Sequence, residues 1–248
     1  MPKKNFKLII QYLGTNYNGW QYQPNCPTIQ EEIENAFKKI LHKNKQKVNL
    51  VGSGRTDSGV HALGQVANII INSNITENEL KNAINSNLGN DIYIKDCSEV
   101  NLSFNSRFSA KKRCYIYKIT KTSSPFNYNR TWFNNYNIDL SLMNKAAELV
   151  LGNHDFSLLS KTNTEIDNKN CYIYKSEWKC LGNEFIYTIE ANRFLHHMVR
   201  YLVGAMVEVG KDNLSINHLM QLLNNETKNI STFKAPAQGL YLKKVYYE

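Results

Sequence analysis

Cysteine is scarce in this sequence, which has five cysteines in 248 residues and no Cys-x-x-Cys pair. An odd number of widely spaced cysteines fits neither a zinc site nor a disulfide framework, so we expect reduced, buried thiols. The six histidines include no His-x-x-x-His pair. His196 and His197 are adjacent and would project roughly 100° apart on a helix, which is poor geometry for joint chelation. The sequence therefore predicts no metal ion.

Long apolar runs are also absent. The longest ones, such as residues 67–71, contain or adjoin polar residues within a few positions, which is incompatible with a transmembrane span. The first seven residues are basic, but no apolar block or cleavage site of a signal peptide follows them. From these two patterns we expect a cytoplasmic protein.

Acidic residues are in the minority, with 21 Asp and Glu against 30 Lys and Arg, a net charge of +9 and a pI near 9.2. This excess favours an anionic partner, either a nucleic acid or an anionic membrane surface. Between Asn35 and Thr76 the only acidic residue is Asp57. Because neighbouring cations favour the charged form of a carboxylate, we expect Asp57 to be ionised.

Asp57 lies within a cluster of three glycines, Gly52, Gly54 and Gly59. Such a cluster indicates a backbone that turns tightly and lets a ligand approach closely. Arg55 places a cation two positions before the aspartate. An Asx-turn that only caps its own loop is the alternative interpretation of an Asp-Ser-Gly sequence.

The first half of the chain has the pattern β-α-β-β-α-β of a ferredoxin-like unit. Capping boxes beginning at Thr28 and Thr76 open its two helices. The pattern predicts the second strand at residues 48–51, the third at 65–72, and Gly89 at the end of the second helix.

The second half is a longer version of the same plan. It predicts helices over residues 140–151 and 196–209 and a hairpin turn at Gly182-Asn183. We therefore expect an α+β protein with domains at 1–103 and 104–248. Their two ferredoxin-like, RRM-like units would lie side by side and form a continuous, mainly antiparallel sheet with helices on one face.

Cations and aromatic residues are interleaved in the middle of the chain. The residues concerned are Arg107, Lys111, Lys112, Arg113, Tyr115 and Tyr117. In RNA-binding sheets, cations hold phosphates and aromatic faces stack on bases. Burial in the core is the alternative for each tyrosine. Arg200 follows His196 and His197 at a spacing that puts it on one helix face with at least one of them.

The segment Gly-Arg-Thr-Asp-Ser-Gly-Val-His-Ala, residues 54–62, resembles the signature of the tRNA pseudouridine synthase A (TruA) family. Other blocks match in the family's order: Gly19-Trp20-Gln21, Phe104 to Ala110 with Arg107, Arg113-x-Tyr115, Asn192-x-Phe194 to Arg200, and Gly239-Leu240-Tyr241-Leu242. The resemblance covers nearly the whole chain, from Phe6 to Tyr246.

This resemblance implies the pseudouridine synthase fold and the isomerisation of uridine to pseudouridine in the anticodon stem-loop of tRNA, without a cofactor. It implies that Asp57 is the catalytic aspartate, with Arg200 as its ion-pair partner. Tyr115 would stack on the uracil and help to remove the C5 proton. Whether Asp57 attacks C1′ or the base, or takes a sugar proton, is left open by the sequence.

The resemblance also implies the remaining contacts. The substrate-binding positions would be Arg55, Arg107, Tyr115, Phe194, His196 and His197, and the positions on the RNA backbone would be Lys111, Lys112 and Arg113. By analogy with the family we expect a homodimer with one tRNA spanning both subunits. Cys171 stands about where the family usually has an arginine, which affects one loop contact to tRNA and not the chemistry.

Two other classes of function stay open from the residues themselves. A non-catalytic RNA-binding protein with two RRM-like units would use Asp57 only as a turn residue. A metal-dependent nuclease would need several carboxylates around its ions, and the region of Asp57 offers one. A narrower alternative is a paralogue that modifies other tRNA uridines.

Overall fold

The computed structural model describes residues 1–41, 48–161, 167–227 and 232–248. These residues form an α+β fold, which confirms the predicted class. The strands are β1 (Lys3–Tyr12), β2 (Val51–Gly52), β3 (His61–Asn72), β4 (Ile92–Val100), β5 (Lys112–Thr120), β6 (Trp132–Phe133), β7 (Gly152–Asp155), β8 (Asn170–Leu181), β9 (Glu184–Ala191) and β10 (Leu240–Tyr246). The α-helices are α1 (Ile29–Ile40), α2 (Glu77–Asn85), α3 (Leu140–Leu149), α4 (Met198–Gly210) and α5 (Ile216–Leu223). None of the helices in the described ranges is long and apolar enough to pass through a bilayer.

The chain packs into two compact units. Unit 1 contains residues 1–111 and 242–248, and unit 2 contains residues 112–241. Compared with the division at residue 104 expected from the sequence, segment 104–111 and the last seven residues belong with the first unit. Strand β10 therefore begins in unit 2 and ends in unit 1.

Unit 1 has the predicted order β1-α1-β2-β3-α2-β4. Strand β1 pairs antiparallel with both β3 and β4, and β2 pairs antiparallel with β3. Phe6, Leu8 and Ile10 of β1 are fully buried, because side chains two positions apart lie on the same face of a strand. The two chain segments of the unit are joined by a hydrogen bond of 2.8 Å from the Lys111 amide to the Tyr246 carbonyl.

Local capping explains where the helices of unit 1 begin. The Thr28 hydroxyl accepts a hydrogen bond from the Glu31 amide at the start of α1. At α2, Thr76 and Glu79 form a complete reciprocal capping box, which satisfies two of the amides that lack helical partners. Both starts were predicted from the sequence and are confirmed.

Unit 2 is built on the antiparallel order β5-β9-β8-β7, with β6 parallel to the end of β5. Helix α3 packs on β8 and on α4. The Trp178 indole lies 3.3 Å from the Met206 sulfur and stacks on the buried Tyr187 ring. The β8–β9 hairpin turns at Gly182, whose φ is +59°, as the sequence predicted.

The structure corrects the predicted strand at residues 48–51. Strand β2 is only Val51–Gly52. The preceding Leu50 is bonded to α1 instead of to a strand, since its amide donates to the Glu34 carboxylate and its carbonyl accepts from the Gln30 side chain. Strand β3 begins at His61, four residues earlier than predicted.

Two predicted helix ends are also wrong. Helix α2 ends at Asn85, and the amide of its C-cap, Ser86, donates to the Asn82 carbonyl, so Gly89 lies beyond the helix. Helix α3 ends at Leu149 rather than at residue 151. Gly152, with φ of +91°, then begins β7, a strand that the sequence did not predict. This short strand has few apolar residues, and its pairing with β8 defines it.

Candidate active site

In unit 1, Asp57 lies at the start of a turn between β2 and β3. The Val60 amide donates to the Asp57 carbonyl at 3.1 Å, and Gly59 has φ of +77°. Only glycine adopts this left-handed conformation readily, so the glycine cluster does specify the turn. Asp57 is half-buried, whereas Arg55 is exposed on the same loop.

Residues 14–20 pack against the Asp57 turn and fix its position through hydrogen bonds. The Tyr17 carbonyl accepts hydrogen bonds from the Gly59 amide at 3.3 Å and from the Ser58 hydroxyl at 3.2 Å. Gly19 has φ of +92°, and a Cβ there would lie 2.5 Å from the Thr56 carbonyl oxygen. A side chain at position 19 would therefore displace the residue next to Asp57.

Trp20 connects this turn to α1. Its amide donates to the Thr56 carbonyl at 3.1 Å, and its carbonyl accepts from the Gln30 amide in the first turn of the helix at 3.0 Å. The Trp20 side chain is 2 % exposed. The residue before Asp57 is thus bonded to a buried aromatic residue whose own position is fixed by a helix.

A hydroxyl pair supports the same residue from the core side. The hydroxyl oxygens of Tyr12 and Thr56 are 2.8 Å apart, and both side chains are buried. Burial raises the pKa of Tyr12, so its phenol stays protonated and able to hydrogen bond. Thr56 is consequently held by its backbone and by its side chain.

Sequence reasoning missed Gln65, which closes the other end of the loop. Its side-chain oxygen accepts from the Ser53 hydroxyl at 2.7 Å, and its side-chain nitrogen donates to the Gly54 carbonyl at 2.9 Å. Gln65 has no exposed surface. A polar residue within an otherwise apolar strand pattern was the available signal, because a buried amide must find partners.

The two other predicted RNA contacts in unit 1 lie on its surface. Arg107 is exposed on a turn whose amides are capped by Asn105, and its guanidinium lies 5.6 Å from the centre of the Phe108 ring. Lys111 is exposed at the end of the unit. Both positions are accessible to a polyanion.

In unit 2, Tyr115 lies on β5 opposite Ile189 and is 9 % exposed. Phe194 meets it edge to face, with the ring centres 5.0 Å apart and an interplanar angle of 84°. This contact restricts the Tyr115 ring. Tyr117, two residues on, is fully buried and its hydroxyl donates to the Pro236 carbonyl at 2.7 Å, so Tyr117 is a core residue.

The segment that carries Phe194 is fixed by Asn192. The Asn192 side-chain oxygen accepts from the amides of Tyr172 and Arg193 at 2.9 and 2.8 Å. Its carbonyl accepts from the Arg113 guanidinium at 2.9 Å. Arg113, which was predicted to contact the RNA backbone, therefore also has a structural role at the end of β9.

Lys112, also on β5, is engaged within its own sheet. Its ammonium lies 2.6 Å from the Glu190 carboxylate on β9. A phosphate would have to compete with this carboxylate for the lysine. Lys111, the first of the three basic residues at 111–113, is exposed and lies in unit 1.

The predicted start of α4 at residue 196 is wrong. The helix begins at Met198, and His197 is its N-cap with φ of +65°, in the left-handed region. His196 is exposed and His197 half-exposed, with their ring centres 4.0 Å apart. Since both histidines precede the helix, they do not share a helix face with Arg200 as the spacing had suggested.

Arg200 lies in the first turn of α4 and is bonded to a segment far along the chain. Its Nε donates to the Ala235 carbonyl at 2.7 Å, and the Ala235 amide donates to the Arg200 carbonyl at 3.1 Å. Gly204, one turn later, leaves the room for this segment, because a Cβ there would overlap the Phe233 carbonyl oxygen. Arg200 is half-buried, and its bond to Ala235 holds the guanidinium in a defined orientation.

Cys171, where an arginine was expected, is fully buried at the start of β8. Burial raises the pKa of its thiol to about 11, and the nearby Arg193 guanidinium opposes this rise. A buried, neutral thiol offers no contact to a phosphate. A cation is nevertheless close to this position, contributed by Arg193 from the segment after β9.

A family model described as tRNA pseudouridine synthase matches residues 8–109 and 146–248. A protein named tRNA pseudouridine synthase A from Hydrogenobaculum sp. (strain Y04AAS1) is 42 % identical over 98 % of this chain and 100 % of its own length. Proteins of the same name from Acetivibrio thermocellus and Brachyspira hyodysenteriae are each 39 % identical over 98 % of this chain, covering 100 % and 98 % of their own lengths. A chain in the crystal structure of a Cbf5-Nop10-Gar1 complex aligns with a TM-score of only 0.34 at 11 % identity, over 94 % of this chain and 56 % of that one.

Proposed function

The chain belongs to the tRNA pseudouridine synthase family, whose members are isomerases, and we propose that it converts uridine to pseudouridine in the anticodon stem-loop of tRNA with Asp57 as the catalytic carboxylate. The observation that carries this proposal is the Asp57 turn. A half-buried carboxylate is presented there by a backbone that two neighbouring segments hold through hydrogen bonds. A residue that only terminated a loop would not need such support.

The proposed reaction breaks the bond between uracil N1 and ribose C1′ and forms a bond between C5 and C1′. The proton on C5 leaves and N1 gains one, so no atom is gained or lost overall. The carboxylate of Asp57 acts on the target nucleotide, and it must be ionised to do so. A group fixed in position before the substrate binds has little reorganisation left at the moment of reaction.

Tyr115 is the proposed partner of the uracil ring. A uridine within a stem has to leave its stack, which costs a few kcal/mol. Stacking of a base on an aromatic side chain returns about 1–3 kcal/mol. The edge contact with Phe194 favours one orientation of the Tyr115 ring, so less entropy is lost when the base binds. Its hydroxyl oxygen is the proposed acceptor of the C5 proton, and the hydroxyl passes its own proton on to solvent, so that the phenol stays neutral.

The remaining predicted residues have supporting roles in this proposal. Arg200 is the ion-pair partner of the catalytic carboxylate, and its bond to Ala235 orients it. Arg55, Arg107, His196 and His197 bind the substrate, and Lys111, Lys112 and Arg113 bind the RNA backbone. A homodimer and a cytoplasmic location complete the proposal.

The test uses a tRNA transcript tritiated at uridine C5, with tritium release assigned to each position. We expect release from uridines of the anticodon stem-loop by the wild-type protein. Asp57→Asn should bind the tRNA within about twofold and lose at least about a hundredfold in rate, in the range of a missing catalytic acid or base. Asp96→Asn, at an exposed aspartate of β4, is the matched control and should retain full activity.

Three results would contradict this proposal. Release of tritium by Asp57→Asn at the wild-type rate would make Asp57 a turn residue. Release only from uridines outside the anticodon stem-loop would identify the paralogue with other targets. Absence of release from every uridine by the wild-type protein would leave the non-catalytic RNA-binding function.

A further inference from the structure

The connection between β5 and β6 exposes two large aromatic side chains. Residues 121–131, here called the aromatic loop, carry Phe126 and Tyr128, which are 84 % and 74 % exposed. Large apolar side chains held in water raise the free energy of the folded state, and such groups mark interaction sites when they occur together. The loop lies in residues 110–145, between the two stretches matched by the family model.

Both ends of the aromatic loop are hydrogen-bonded to other segments of unit 2. The Lys121 amide donates to the Asn183 carbonyl at 2.9 Å, and the Asn183 side chain donates to the Thr122 hydroxyl at 3.1 Å. At the other stem, the Tyr241 hydroxyl donates to the Arg130 carbonyl at 2.5 Å. Burial raises the pKa of Tyr241 to about 12, so it remains a donor at neutral pH.

The tip of the loop is also closed on itself. The Asn127 carbonyl accepts from the Arg130 and Thr131 amides at 3.0 and 3.2 Å, and the Phe126 amide bonds the Ser124 hydroxyl at 3.3 Å. Phe126 and Tyr128 are therefore displayed on a structured turn. A partner that bound them would have little loop entropy to overcome.

Charge indicates the chemistry of that partner. Residues 100–138, which include the whole loop, contain no aspartate or glutamate and seven lysines and arginines. Two of these cations, Lys121 and Arg130, lie in the loop itself and are exposed. A second copy of the same surface would bring like charges together, whereas an RNA supplies both phosphates for the cations and base faces for the rings.

We propose that the aromatic loop is a second contact for the substrate RNA, in which Phe126 and Tyr128 stack on unpaired bases and Arg130 binds the adjoining phosphate. This inference rests on the proposed function for the identity of the RNA. Tyr115 and the end of β5 at Thr120 are five residues apart, or about 17 Å at the usual rise of a strand. The loop would therefore bind nucleotides other than the one that reacts.

The test measures the Kd for tRNA by filter binding, together with kcat and KM. Phe126→Ala/Tyr128→Ala should weaken tRNA binding at least about thirtyfold, the effect of losing two base stacks, and should raise KM with kcat unchanged. Phe126→Tyr/Tyr128→Phe keeps both rings and is the matched control, expected within about twofold of wild type. Arg130→Gln should lower the slope of log Kd against log salt by about one.

A second measurement tests whether the aromatic loop instead binds a second copy of this protein. Sedimentation without RNA should give the same mass for the wild type and for Phe126→Ala/Tyr128→Ala. A smaller mass for that variant would assign the loop to contact between copies and overturn the proposal, as would an unchanged Kd. Because Kd is measured directly, this result is obtained even if the wild-type protein forms no pseudouridine, so the failure of one proposal is not mistaken for the failure of the other.

Discussion

The amide of Trp20 donates a hydrogen bond of 3.1 Å to the carbonyl of Thr56, the residue that immediately precedes Asp57. The two residues are far apart in sequence, and Gly19 allows their close approach because it has no Cβ and adopts φ of +92°. The geometry of the candidate catalytic turn therefore depends on a glycine outside the turn.

Gly19→Ala should disturb the Asp57 turn. A Cβ would lie 2.5 Å from the Thr56 carbonyl oxygen, and the left-handed backbone adds strain, so we expect destabilisation of at least about 1–3 kcal/mol. The rate of pseudouridine formation should fall more than the affinity for tRNA, since the affected residue adjoins Asp57. Thermal unfolding and single-turnover rates measure the two effects.

The control for this substitution is Gly89→Ala. Apart from its two chain neighbours, no heavy atom in the described ranges lies within 4 Å of a Cβ at position 89, and the residue does not have a positive φ. Its melting temperature and its activity should match the wild type. If Gly19→Ala behaved in the same way, the support that we ascribe to residues 14–20 would not exist.

Tyr115 and Tyr117 should respond differently to loss of the hydroxyl, although they are two residues apart on β5. Tyr117→Phe removes the 2.7 Å bond to the Pro236 carbonyl and should cost about 1 kcal/mol of stability, which corresponds to a melting temperature about 2–4 °C lower. Its kcat, measured well below that temperature, should not change.

Tyr115→Phe should keep its affinity for tRNA, because the ring and its contact with Phe194 are retained. Its kcat should fall by at least about a hundredfold if the hydroxyl accepts the C5 proton. The opposite pattern, with Tyr115→Phe active and Tyr117→Phe inactive, would exchange the roles of the two residues.

Replacement of Arg200 even by lysine should lower both the stability and the kcat of the protein. Arg200→Lys keeps the charge but loses the 2.7 Å bond from Nε to the Ala235 carbonyl, with an expected loss of about 1 kcal/mol in stability. Without that bond the cation is no longer oriented, and we expect kcat to fall about tenfold or more. Arg193→Lys, at another half-buried arginine of unit 2, is the control and should leave kcat within about twofold.

A merely structural Arg200 would give a different result. In that case Arg200→Lys would lower the melting temperature while kcat, measured well below the unfolding transition, stayed at the wild-type value. Measuring kcat and thermal unfolding on the same preparations separates the two roles.

Cys171 should make stability fall at alkaline pH. Burial raises the pKa of its thiol from the ordinary value of 9.0 to about 11, so the folded protein keeps a proton that the unfolded chain releases. The stability contributed by this thiol is complete below pH 9 and is lost as the pH rises through 11. The slope in that window is about 1.4 kcal/mol per pH unit for one such group.

Cys171→Ala should therefore show a shallower loss of stability between pH 9 and pH 11 in urea titrations. Cys180→Ala, at an exposed cysteine on the same strand, should leave the slope unchanged. Equal slopes for the wild type and Cys171→Ala would mean that the thiol does not titrate differently in the two states.

The sequence alone determined the features that depend on interactions between residues close together in the chain. The starts of α1 and α2 follow from Thr28 and Thr76, because a capping hydroxyl bonds an amide only three residues away. The β8–β9 hairpin follows from Gly182-Asn183, and the buried face of β1 follows from its alternation. The family and the α+β class were predicted from motifs of this local kind.

Only the tertiary structure decided the features that depend on residues distant in sequence. His197 adopts a left-handed conformation, so α4 begins only at Met198. Arg200 in that helix is bonded to Ala235, 35 residues later. Gln65 was overlooked because its partners, Ser53 and Gly54, lie across the loop. Side-chain hydrogen bonds between distant residues form only once packing has brought the segments together, so local propensity does not predict them.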